Sequence, residues 1–304
     1  MKAVVLCAGF GTRLAPITYR IPKPLVPVAN RPVIDIVLDR LAEAGIREVG
    51  VNLHLLADPI GDHLDSRKGG LPVRTVIEPE ILDTGGGIAH FRDWDEPLLV
   101  HNVDVITDVD IRHLIDTHRR TGADVTMAVV DDARFNVVRV APDGRVVGIR
   151  GEGPEARYTL SGVYALSRRF LQRLEPGRKA SVIDAMMAQI NEEPGSVRVV
   201  FPRLDTYWHD LGHVASYLDL HREILGGRCP RLPGIVVPPS GVLVANGVKV
   251  DPSAILEGFV AIGPDCVIDP DVHLADCVVL PGTHVAERFS ARHSVILGDL
   301  VVAD

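Results

Sequence analysis

The chain has 304 residues, of which 46% are hydrophobic and 24% are charged, and its formal net charge is -8. This length exceeds what one compact core usually organises, so we expect two domains, and the composition excludes a disordered chain. The acidic balance argues against a nucleic-acid partner, because affinity for nucleic acid comes largely from neutralised phosphates.

Apolar runs and cysteine spacing narrow the class of protein further. The longest apolar runs have the length of strands, and the N-terminus lacks the basic start and long apolar core of a signal peptide. We therefore expect a cytoplasmic protein without a membrane partner. The cysteines have no Cys-x-x-Cys spacing, which argues against a zinc site or a disulfide framework.

The first predicted element is a buried strand at residues 3–6, and the glycine-rich turn Gly9-Phe10-Gly11 follows it. Such a turn points backbone N–H groups outward and suits a bound phosphate, although two glycines alone are equally typical of a simple strand-to-helix turn. The turn matches neither the dinucleotide fingerprint nor the P-loop. No acidic residue precedes Asp35, whereas five lysines and arginines do, so we expect an anionic ligand here.

Lys23 lies between two prolines, Pro22 and Pro24. Each proline fixes its own φ, and Pro24 also favours an extended backbone at Lys23. We therefore expect the ammonium group to be held in a defined place, which suits catalysis better than solubility.

Two motifs span this region. Residues 9–18 read Gly-x-Gly-Thr-Arg-Leu-x-Pro-x-Thr, and residues 22–28 read Pro-Lys-Pro-Leu-x-Pro-Val. Together they resemble the signature of the sugar-1-phosphate nucleotidylyltransferases, and a looser likeness extends through most of the first 225 residues. The resemblance implies an enzyme that transfers a nucleoside monophosphate from a nucleoside triphosphate to a sugar 1-phosphate and releases pyrophosphate.

The resemblance also assigns roles to residues of the signature. It implies that Arg13 braces the leaving pyrophosphate and that Lys23 neutralises the phosphates at the reacting centre. Because a phosphate monoester dianion is already a nucleophile, no general base is expected, and catalysis rests on positioning and charge. The residues implied to bind the nucleotide here are Leu6, Ala8, Gly9, Gly11 and Thr12.

Helical and strand patterns alternate after the signature. We predict helices at residues 32–44, 58–64 and 109–120, and strands at residues 49–53, 73–77, 98–101 and 125–130. This alternation predicts an α/β fold with a mainly parallel, doubly wound sheet, and the resemblance implies its Rossmann-like nucleotidyltransferase form. Ligands bind at the carboxyl ends of the strands in such sheets.

Two acidic residues are candidate metal ligands. Asp104 follows the strand predicted at residues 98–101, where a carboxylate could equally cap the next helix. Asp210 lies in Trp-His-Asp-Leu-Gly, which resembles the Trp-x-Asp-x-Gly segment of the family, although it could equally stabilise the dipole of the helix predicted at residues 214–225. The resemblance implies that both hold Mg²⁺, which reduces the repulsion between two phosphate-bearing substrates. Val103 departs from the glycine of many relatives.

A second glycine-rich run reads Asp-Thr-Gly-Gly-Gly at residues 83–87. The resemblance implies that Asp83, Thr84 and Gly85 approach the base. The run is similar to that of the N-acetylmuramate 1-phosphate uridylyltransferase branch, whereas Asn52-x-His54 is similar to the mannose-1-phosphate guanylyltransferase branch. The expected nucleotide is therefore UTP or GTP.

The sugar site is the least defined by the sequence. The Glu-Lys-Pro that many relatives use for the sugar phosphate is missing, and residues 149–152 occupy its place. Arg150 either replaces that lysine or is a solvated surface charge, and both interpretations stay open. The residues implied to contact the sugar are Asn136, Arg150, Ser161 and Gly162.

From residue 248 the apolar residues recur every six positions. A hexapeptide period predicts a parallel β-helix, and the resemblance is to the left-handed form. Two phases carry the repeat, with Val248, Ala254, Val260, Cys266, Val272 and Val278 on one and Val250, Leu256, Ile262, Ile268, Leu274 and Leu280 on the other. We thus predict a catalytic domain at residues 1–226, a proline-rich linker at 227–247 and a β-helix at 248–304, through which we expect homo-oligomers to form.

Two further functions are compatible with parts of the chain. One is a catalytically silent regulatory subunit that binds a nucleotide sugar. Such a subunit would carry degenerate catalytic residues, whereas this chain keeps all four candidates, Arg13, Lys23, Asp104 and Asp210. A hexapeptide-repeat acyltransferase would need a groove for acyl-CoA, for which the short repeat leaves little room. Its candidate bases are His273, His284 and His293.

Overall fold

The computed structural model of the chain describes residues 1–94, 96–150 and 156–303. Contacts divide the chain into a first unit, Met1–Gly9 with Val37–Trp208, and a second unit, Phe10–Ile36 with His209–Asp304. The division does not follow the predicted domain boundaries, because the signature segment groups with the C-terminal part of the chain. Those boundaries stay a prediction.

Strands and helices alternate along the chain. The strands are β1 (Lys2–Leu6), β2 (Pro27–Val28), β3 (Arg31–Pro32), β4 (Val49–Leu53), β5 (Val73–Ile77), β6 (Leu98–Asn102), β7 (Val105–Thr107), β8 (Val125–Val130), β9 (Val138–Val140), β10 (Val146–Gly148), β11 (Ala156–Leu166), β12 (Val197–Val200), β13 (Trp208–Asp210), β14 (Val242–Val244), β15 (Lys249–Val250), β16 (Ile255–Ile262), β17 (Val267–Ile268), β18 (His273–Val279), β19 (His284–Val285), β20 (Ser290–Leu297) and β21 (Leu300–Ala303). The α-helices are α1 (Val33–Glu43), α2 (Ala57–Ser66), α3 (Asp83–Ala89), α4 (Ile111–Thr121), α5 (Arg168–Leu171), α6 (Val182–Glu192) and α7 (Val214–Leu225). Within the described residues, every helix is too short or too polar to cross a membrane.

A mixed sheet with β1 near its centre forms the core of the first unit. β1 pairs in parallel with β4 and β6, and β4 pairs in parallel with β5, so Val4 lies beside Gly50 and Val100. β11 is antiparallel to β6 and β8, while β8 and β12 are again parallel. The prediction of an α/β fold with a parallel-dominated, Rossmann-like sheet is confirmed, and β11 makes this sheet mixed.

Burial and capping explain why these segments fold as they do. Val4 and Val5 are fully buried, as expected for a central strand with layers on both faces. Helix α4 begins where the Asp110 carboxylate accepts His113 N–H at 2.9 Å, and it ends at Gly122 with a left-handed φ of 62°. The helices predicted before residue 130 are present as α1, α2 and α4.

The second unit contains two stacks of parallel strands. One runs β14-β16-β18-β20 and is closed by the antiparallel strand β21, and the other runs β15-β17-β19. Val242 pairs with Val260, and Val260 pairs with Cys277. The segment between paired residues, here called a turn of chain, is therefore one residue shorter from Val260 to Cys277 than from Val242 to Val260. β14 lies inside the segment predicted as a linker.

The shorter turn shifts the inward-facing positions of the repeat. The buried cluster of this stack contains Val260 and Ile262 and continues with Cys277 and Val279. The predicted phases, which placed the last pair at Val278 and Leu280, are therefore wrong by one residue. The register shift falls between Glu257 and Val260, where β16 pairs with β18.

Candidate active site

The turns after β1 and β6 bring the first group of predicted site residues together. Leu6 ends β1, and its carbonyl accepts Val103 N–H at 3.3 Å, so the turn after β1 lies beside the turn that carries Asp104. Burial, and then the charge of Asp104, raise the pKa of the Cys7 thiol well above its usual value, so Cys7 is a neutral core residue. The predicted nucleotide-binding residues that follow it in the first unit are Ala8 and Gly9.

Two buried polar side chains connect this turn to the rest of the sheet. Asn52 belongs to β4 and Glu78 directly follows β5. Asn52 Oδ1 accepts Cys7 N–H at 2.9 Å, and Asn52 Nδ2 donates to Glu78 Oε1 at 2.8 Å. Glu78 Oε2 accepts Leu82 N–H at 3.0 Å. The sequence analysis missed Glu78, for which the available signal is a carboxylate immediately after a predicted strand.

Helix α3 carries the second glycine-rich run. Asp83 is exposed with a left-handed φ of 60°, and Thr84 Oγ1 accepts Val182 N–H at 3.0 Å. Gly85 N–H donates to Ala180 O at 2.7 Å and is therefore already engaged. A Cβ atom added to the glycines would lie 2.7 Å from Ala180 O at Gly85, 2.5 Å from Leu82 Cβ at Gly86 and 2.4 Å from Asn52 Nδ2 at Gly87. Packing thus accounts for all three glycines, and the predicted nucleotide contacts of residues 83–85 stay a prediction.

In the second unit, Lys23 begins a short 3-10 turn, Lys23–Leu25. The expected extended backbone at Lys23 is therefore wrong. Leu25 N–H donates to Pro22 O at 2.8 Å and Val26 N–H donates to Lys23 O at 3.1 Å, and these bonds outweigh the steric preference of a residue before proline. A Cβ atom added at Gly11 would lie 3.4 Å from Lys23 Cβ, so the glycine turn and the lysine turn are in contact.

Arg13 and Asp210, which are far apart in the sequence, meet in the second unit. Arg13 Nη1 lies 3.6 Å from Asp210 Oδ2, with 62% of the arginine side chain exposed and 16% of the aspartate. A Cβ atom added at Gly212 would lie 2.7 Å from Asp210 Oδ2, which explains the glycine of the Trp-x-Asp-x-Gly segment. The predicted nucleotide-binding residues that adjoin Arg13 are Gly11 and Thr12.

Helix α7, which follows Asp210, fastens the end of the signature. The Tyr217 hydroxyl donates to Pro27 O, and His221 Nε2 accepts Ala29 N–H at 3.0 Å. His221 Nδ1 then carries the proton and donates to Tyr217 O at 2.9 Å. Burial lowers the pKa of His221 to about 4, so the ring is neutral at pH 7. The sequence analysis missed both side chains, although a Tyr and a His four residues apart share one face of a helix.

The predicted sugar residues lie on or near β11. Asn136 Nδ2 donates to Asp131 Oδ1 at 3.0 Å. Ser161 is fully buried, and its hydroxyl donates to Ala128 O at 2.8 Å, so its predicted contact with the sugar stays a prediction. The Ser161 carbonyl accepts Trp208 Nε1 at 2.9 Å. Gly162 follows with a left-handed φ of 81°.

A cavity of about 420 Å³ opens beside these residues in the first unit. Its wall combines aromatic rings with carboxylates and one guanidinium group, a combination that suits a sugar ring with its hydroxyls. Trp208 forms part of the wall, and its ring packs edge-on against Phe135 with centroids 5.9 Å apart. The lining residues are Val130, Asp131, Asp132, Tyr158, Phe201, Pro202, Arg203, Leu204, Thr206 and Trp208.

Arg150 forms an ion pair on the protein surface. Its Nη1 donates to Asp184 Oδ1 at 2.6 Å, and the two side chains are 61% and 63% exposed. The neighbouring Gly151 and Glu152 lie outside the described residues. A role of Arg150 in sugar binding stays a prediction.

The candidate metal ligands have the chemistry that Mg²⁺ prefers. Among the residues that the structure describes, no group of three or more His, Cys, Asp and Glu side chains could hold a metal ion. Mg²⁺ usually binds one or two carboxylates and completes its shell with waters and substrate phosphates, so a site of this kind needs no larger cluster. Asp104 lies in the turn between β6 and β7, and Asp210 ends β13. Both are partly buried carboxylates, and they fit that role.

Known proteins are similar to this chain in sequence and in fold. Residues 2–226 match the family described as nucleotidyl transferase. Mannose-1-phosphate guanylyltransferase of Mycobacterium tuberculosis is 30% identical over 293 residues, which cover 94% of this chain and 81% of that protein. Glucose-1-phosphate thymidylyltransferase of Streptomyces antibioticus is 29% identical over 322 residues, which cover 98% and 89%. The crystal structure of HddC from Yersinia pseudotuberculosis aligns with a TM-score of 0.61 and 25% identity, covering 72% of this chain and 97% of that one.

Proposed function

Because this chain belongs to the nucleotidyl transferase family and is a sugar-1-phosphate nucleotidylyltransferase, we propose that it transfers GMP from GTP to a hexose 1-phosphate of the mannose 1-phosphate type, with Mg²⁺ as its metal. The observation that carries the proposal is the meeting of Arg13 with Asp210 at 3.6 Å in the unit that also holds Lys23. A cation for the leaving pyrophosphate thereby lies beside a carboxylate suited to the metal.

The choice of GTP over UTP rests on two arguments. Relatives named mannose-1-phosphate guanylyltransferase align along more than nine-tenths of the chain, as in Mycobacterium tuberculosis with 94%. The glycine run of α3, which favoured UTP in the sequence, has a packing explanation, because added Cβ atoms would collide with residues 82, 180 and 52. The glycine run therefore carries little weight in the choice of base.

The chemistry that we propose is one in-line displacement. A phosphate oxygen of the sugar 1-phosphate forms a bond to the α-phosphorus, the bond from that phosphorus to the bridging oxygen breaks, and pyrophosphate leaves with the electron pair. Arg13 braces the departing pyrophosphate and Lys23 neutralises charge at the reacting phosphates. Both residues lie in short 3-10 turns, Thr12–Leu14 and Lys23–Leu25, so their backbone is ordered before substrate arrives.

Asp104 and Asp210 are the residues that would hold Mg²⁺. The ion supplies polarisation of the α-phosphate and neutralisation of the triphosphate when bound. Arg13 contacts the Asp210 carboxylate, so this guanidinium also orients one of the two metal ligands.

The sugar is proposed to enter the cavity beside Trp208. Asn136 donates to Asp131, which lines the cavity, and the carboxylates of Asp131 and Asp132 can accept hydrogen bonds from sugar hydroxyls. The ring of Trp208 offers an apolar face for the pyranose, and its Nε1–H is held by Ser161 O.

The parallel strand stacks of residues 242–303 are proposed to be a left-handed β-helix that joins subunits into a homo-oligomer. Two observations support this proposal: the number of residues between paired positions is nearly constant, and the strands enclose one cluster of buried hydrophobic side chains. The nucleoside triphosphate substrate is consistent with a cytoplasmic reaction.

Pyrophosphate release tests the proposed function. The five common nucleoside triphosphates, GTP, UTP, dTTP, ATP and CTP, are each combined with mannose, glucose and N-acetylmuramic acid 1-phosphates, with and without Mg²⁺. We expect kcat/KM to be greatest for GTP with mannose 1-phosphate, by at least about tenfold, and to need Mg²⁺. Preference for UTP or dTTP would overturn the choice of base, and no release with any pair would favour the silent regulatory subunit.

A further inference from the structure

Two glycine-rich segments of the first unit are joined by a continuous chain of hydrogen bonds. It runs from Cys7 N–H to Asn52 Oδ1 at 2.9 Å, from Asn52 Nδ2 to Glu78 Oε1 at 2.8 Å, and from Leu82 N–H to Glu78 Oε2 at 3.0 Å. Cys7 opens the turn after β1, and Leu82 directly precedes α3. The side chains of Asn52 and Glu78 therefore connect the two segments through these hydrogen bonds.

The chain of bonds is buried. Glu78 is 1% exposed and Asn52 is 3% exposed. A buried carboxylate loses its hydration, so it is costly unless hydrogen bonds replace the lost water contacts. Here each carboxylate oxygen accepts one hydrogen bond: Oε2 accepts Leu82 N–H directly, and Oε1 accepts Asn52 Nδ2, whose own Oδ1 accepts Cys7 N–H. An apolar pair could fill the same volume at lower cost, so the retention of a charge here calls for a specific role.

We propose that Glu78 and Asn52 are positioning residues that fix the spacing between the turn after β1 and the start of α3, and thereby set the affinity and base selectivity for the nucleotide. The inference rests on the proposed function, in which the phosphates lie against the first segment and the base against the second. Gly87 supports it independently, because a Cβ atom there would lie 2.4 Å from Asn52 Nδ2, so α3 sits directly against the chain of bonds.

The role predicts an effect on binding rather than on the chemical step. Asn52 and Glu78 belong to the first unit, whereas Arg13 pairs with Asp210 and the Lys23 carbonyl accepts Val26 N–H within the second unit. A segment that must be ordered when the nucleotide binds weakens the affinity, because the ordering free energy is subtracted from the binding free energy. KM for the nucleoside triphosphate should therefore rise while kcat changes little.

An amide–carboxylate exchange gives a sharp test. In Glu78→Gln, the amide has one acceptor for two donors, so its NH₂ group faces either Asn52 Nδ2 or Leu82 N–H. In Asn52→Asp, two carboxylates face each other. In the double variant the Asp accepts both Cys7 N–H and the Gln NH₂ group, and the Gln oxygen accepts Leu82 N–H, so all three bonds return. The matched control is Glu80→Gln, which changes an exposed carboxylate two residues away.

The measurements are pyrophosphate release, the thermal shift caused by GTP and by UTP, and the melting temperature. We expect each single variant to raise KM for the preferred triphosphate about tenfold or more, with kcat within about threefold and a reduced GTP/UTP ratio. The double variant should return KM to within about threefold of the original, and Glu80→Gln should leave it unchanged. The inference is overturned if the double variant is as impaired as the two single variants combined, or if KM stays constant in all variants.

The thermal shift separates this inference from the proposed function. A protein that binds nucleotides but releases no pyrophosphate contradicts the proposed reaction, and loss of the shift in Glu78→Gln with its return in the double variant still supports the positioning role. A protein whose melting temperature responds to no nucleotide contradicts both. A fall in melting temperature with unchanged KM would mean that the buried chain serves stability alone.

Discussion

The two units support their candidate site segments in electrostatically different ways. In the first unit, the turn after β1 and the start of α3 are joined through the Glu78 carboxylate. In the second unit, the signature is fastened by the uncharged side chains of Tyr217 and His221. Tyr217 and His221 therefore fix the backbone at the end of the signature without adding a charge near Lys23, whereas Arg13 is paired with the Asp210 carboxylate. Loss of the Glu78 bonds should change KM for the triphosphate, whereas protonation of His221 should lower the free energy of unfolding. Experiments can therefore test the two supports separately.

Lys23→Ala should have the largest effect on turnover, because it removes a cation of the second unit and leaves the bonds from Tyr217 and His221 in place. A unit charge at 4 Å is worth about 4 kcal/mol at an effective dielectric near 20, which corresponds to a loss of several hundredfold in kcat if the contact is confined to the transition state. Pyrophosphate release measures the loss, and the melting temperature should not change. Lys249→Ala, at an exposed lysine of β15, is the control. Turnover near that of the unaltered enzyme would contradict the role of Lys23.

Gly87→Ala should come next, because it acts on the support of the first unit. The new methyl group would lie 2.4 Å from Asn52 Nδ2, so Asn52 must shift and the bond to Glu78 is disturbed. Overpacking of this kind costs about 1–3 kcal/mol of unfolding free energy. We expect KM for the triphosphate to rise about tenfold with kcat nearly constant.

The control for this substitution is Gly61→Ala in α2, where an added Cβ atom meets nothing within 4 Å. It should stabilise the helix by about 0.5–1 kcal/mol and leave KM unchanged. A Gly87→Ala enzyme that loses kcat while keeping KM would show that the two supports are not separable.

His221→Gln should change how the second unit responds to acid. The pKa of His221 is lowered from 6.5 to about 4 by burial, so the folded state binds fewer protons than the unfolded state between these values. The contribution of His221 to the free energy of unfolding is therefore fully present above pH 6.5, and it falls by about 1.4 kcal/mol per pH unit as the pH drops toward 4. A glutamine oxygen can still accept Ala29 N–H but does not titrate, so the variant should lose less stability over this range.

Denaturant unfolding at pH 6.5, 5.5 and 4.5 measures that slope. Burial also lowers the pKa values of His101 and His118 to about 4, so some acid sensitivity must survive in His221→Gln. The exposed His113 of α4 provides the control, since His113→Gln should leave the slope as it was. Equal slopes in the original protein and in His221→Gln would mean that His221 does not need to stay neutral.

The sequence predicted the parts of the site that are local in the chain. Arg13 and Lys23 lie in one short signature, Asp104 follows the apolar run at residues 98–101, and Asp210 lies in a Trp-x-Asp-x-Gly segment, so the family resemblance names all four as candidates. The supports could not be predicted, because their partners are remote. Tyr217 bonds to Pro27, 190 residues away, and Asn52 bonds to Cys7, 45 residues away.

Small changes of backbone geometry also escape a sequence pattern. The repeat of residues 248–280 predicted the stacked strands, but the turns of chain from Val260 to Cys277 and from Cys277 to Ser294 are each one residue shorter than that from Val242 to Val260. The first of these moved the last predicted inward positions to Cys277 and Val279. At Lys23, two backbone hydrogen bonds overrode the preference of a residue before proline. Both errors come from tertiary or turn energies of a few kcal/mol, which a period or a propensity does not contain.

Arg150→Ala should have the smallest effect on turnover, and it compares an exposed surface cation with Lys23 of the signature. Unlike Lys23, Arg150 is 61% exposed, and its partner Asp184 is equally open to solvent. Exposed ion pairs contribute less than about 1 kcal/mol, so stability should change little. We expect KM for the sugar 1-phosphate to change less than about threefold, as measured with saturating triphosphate. A tenfold rise, reversed in Arg150→Lys, would instead place this cation at the sugar phosphate in the role of the missing family lysine.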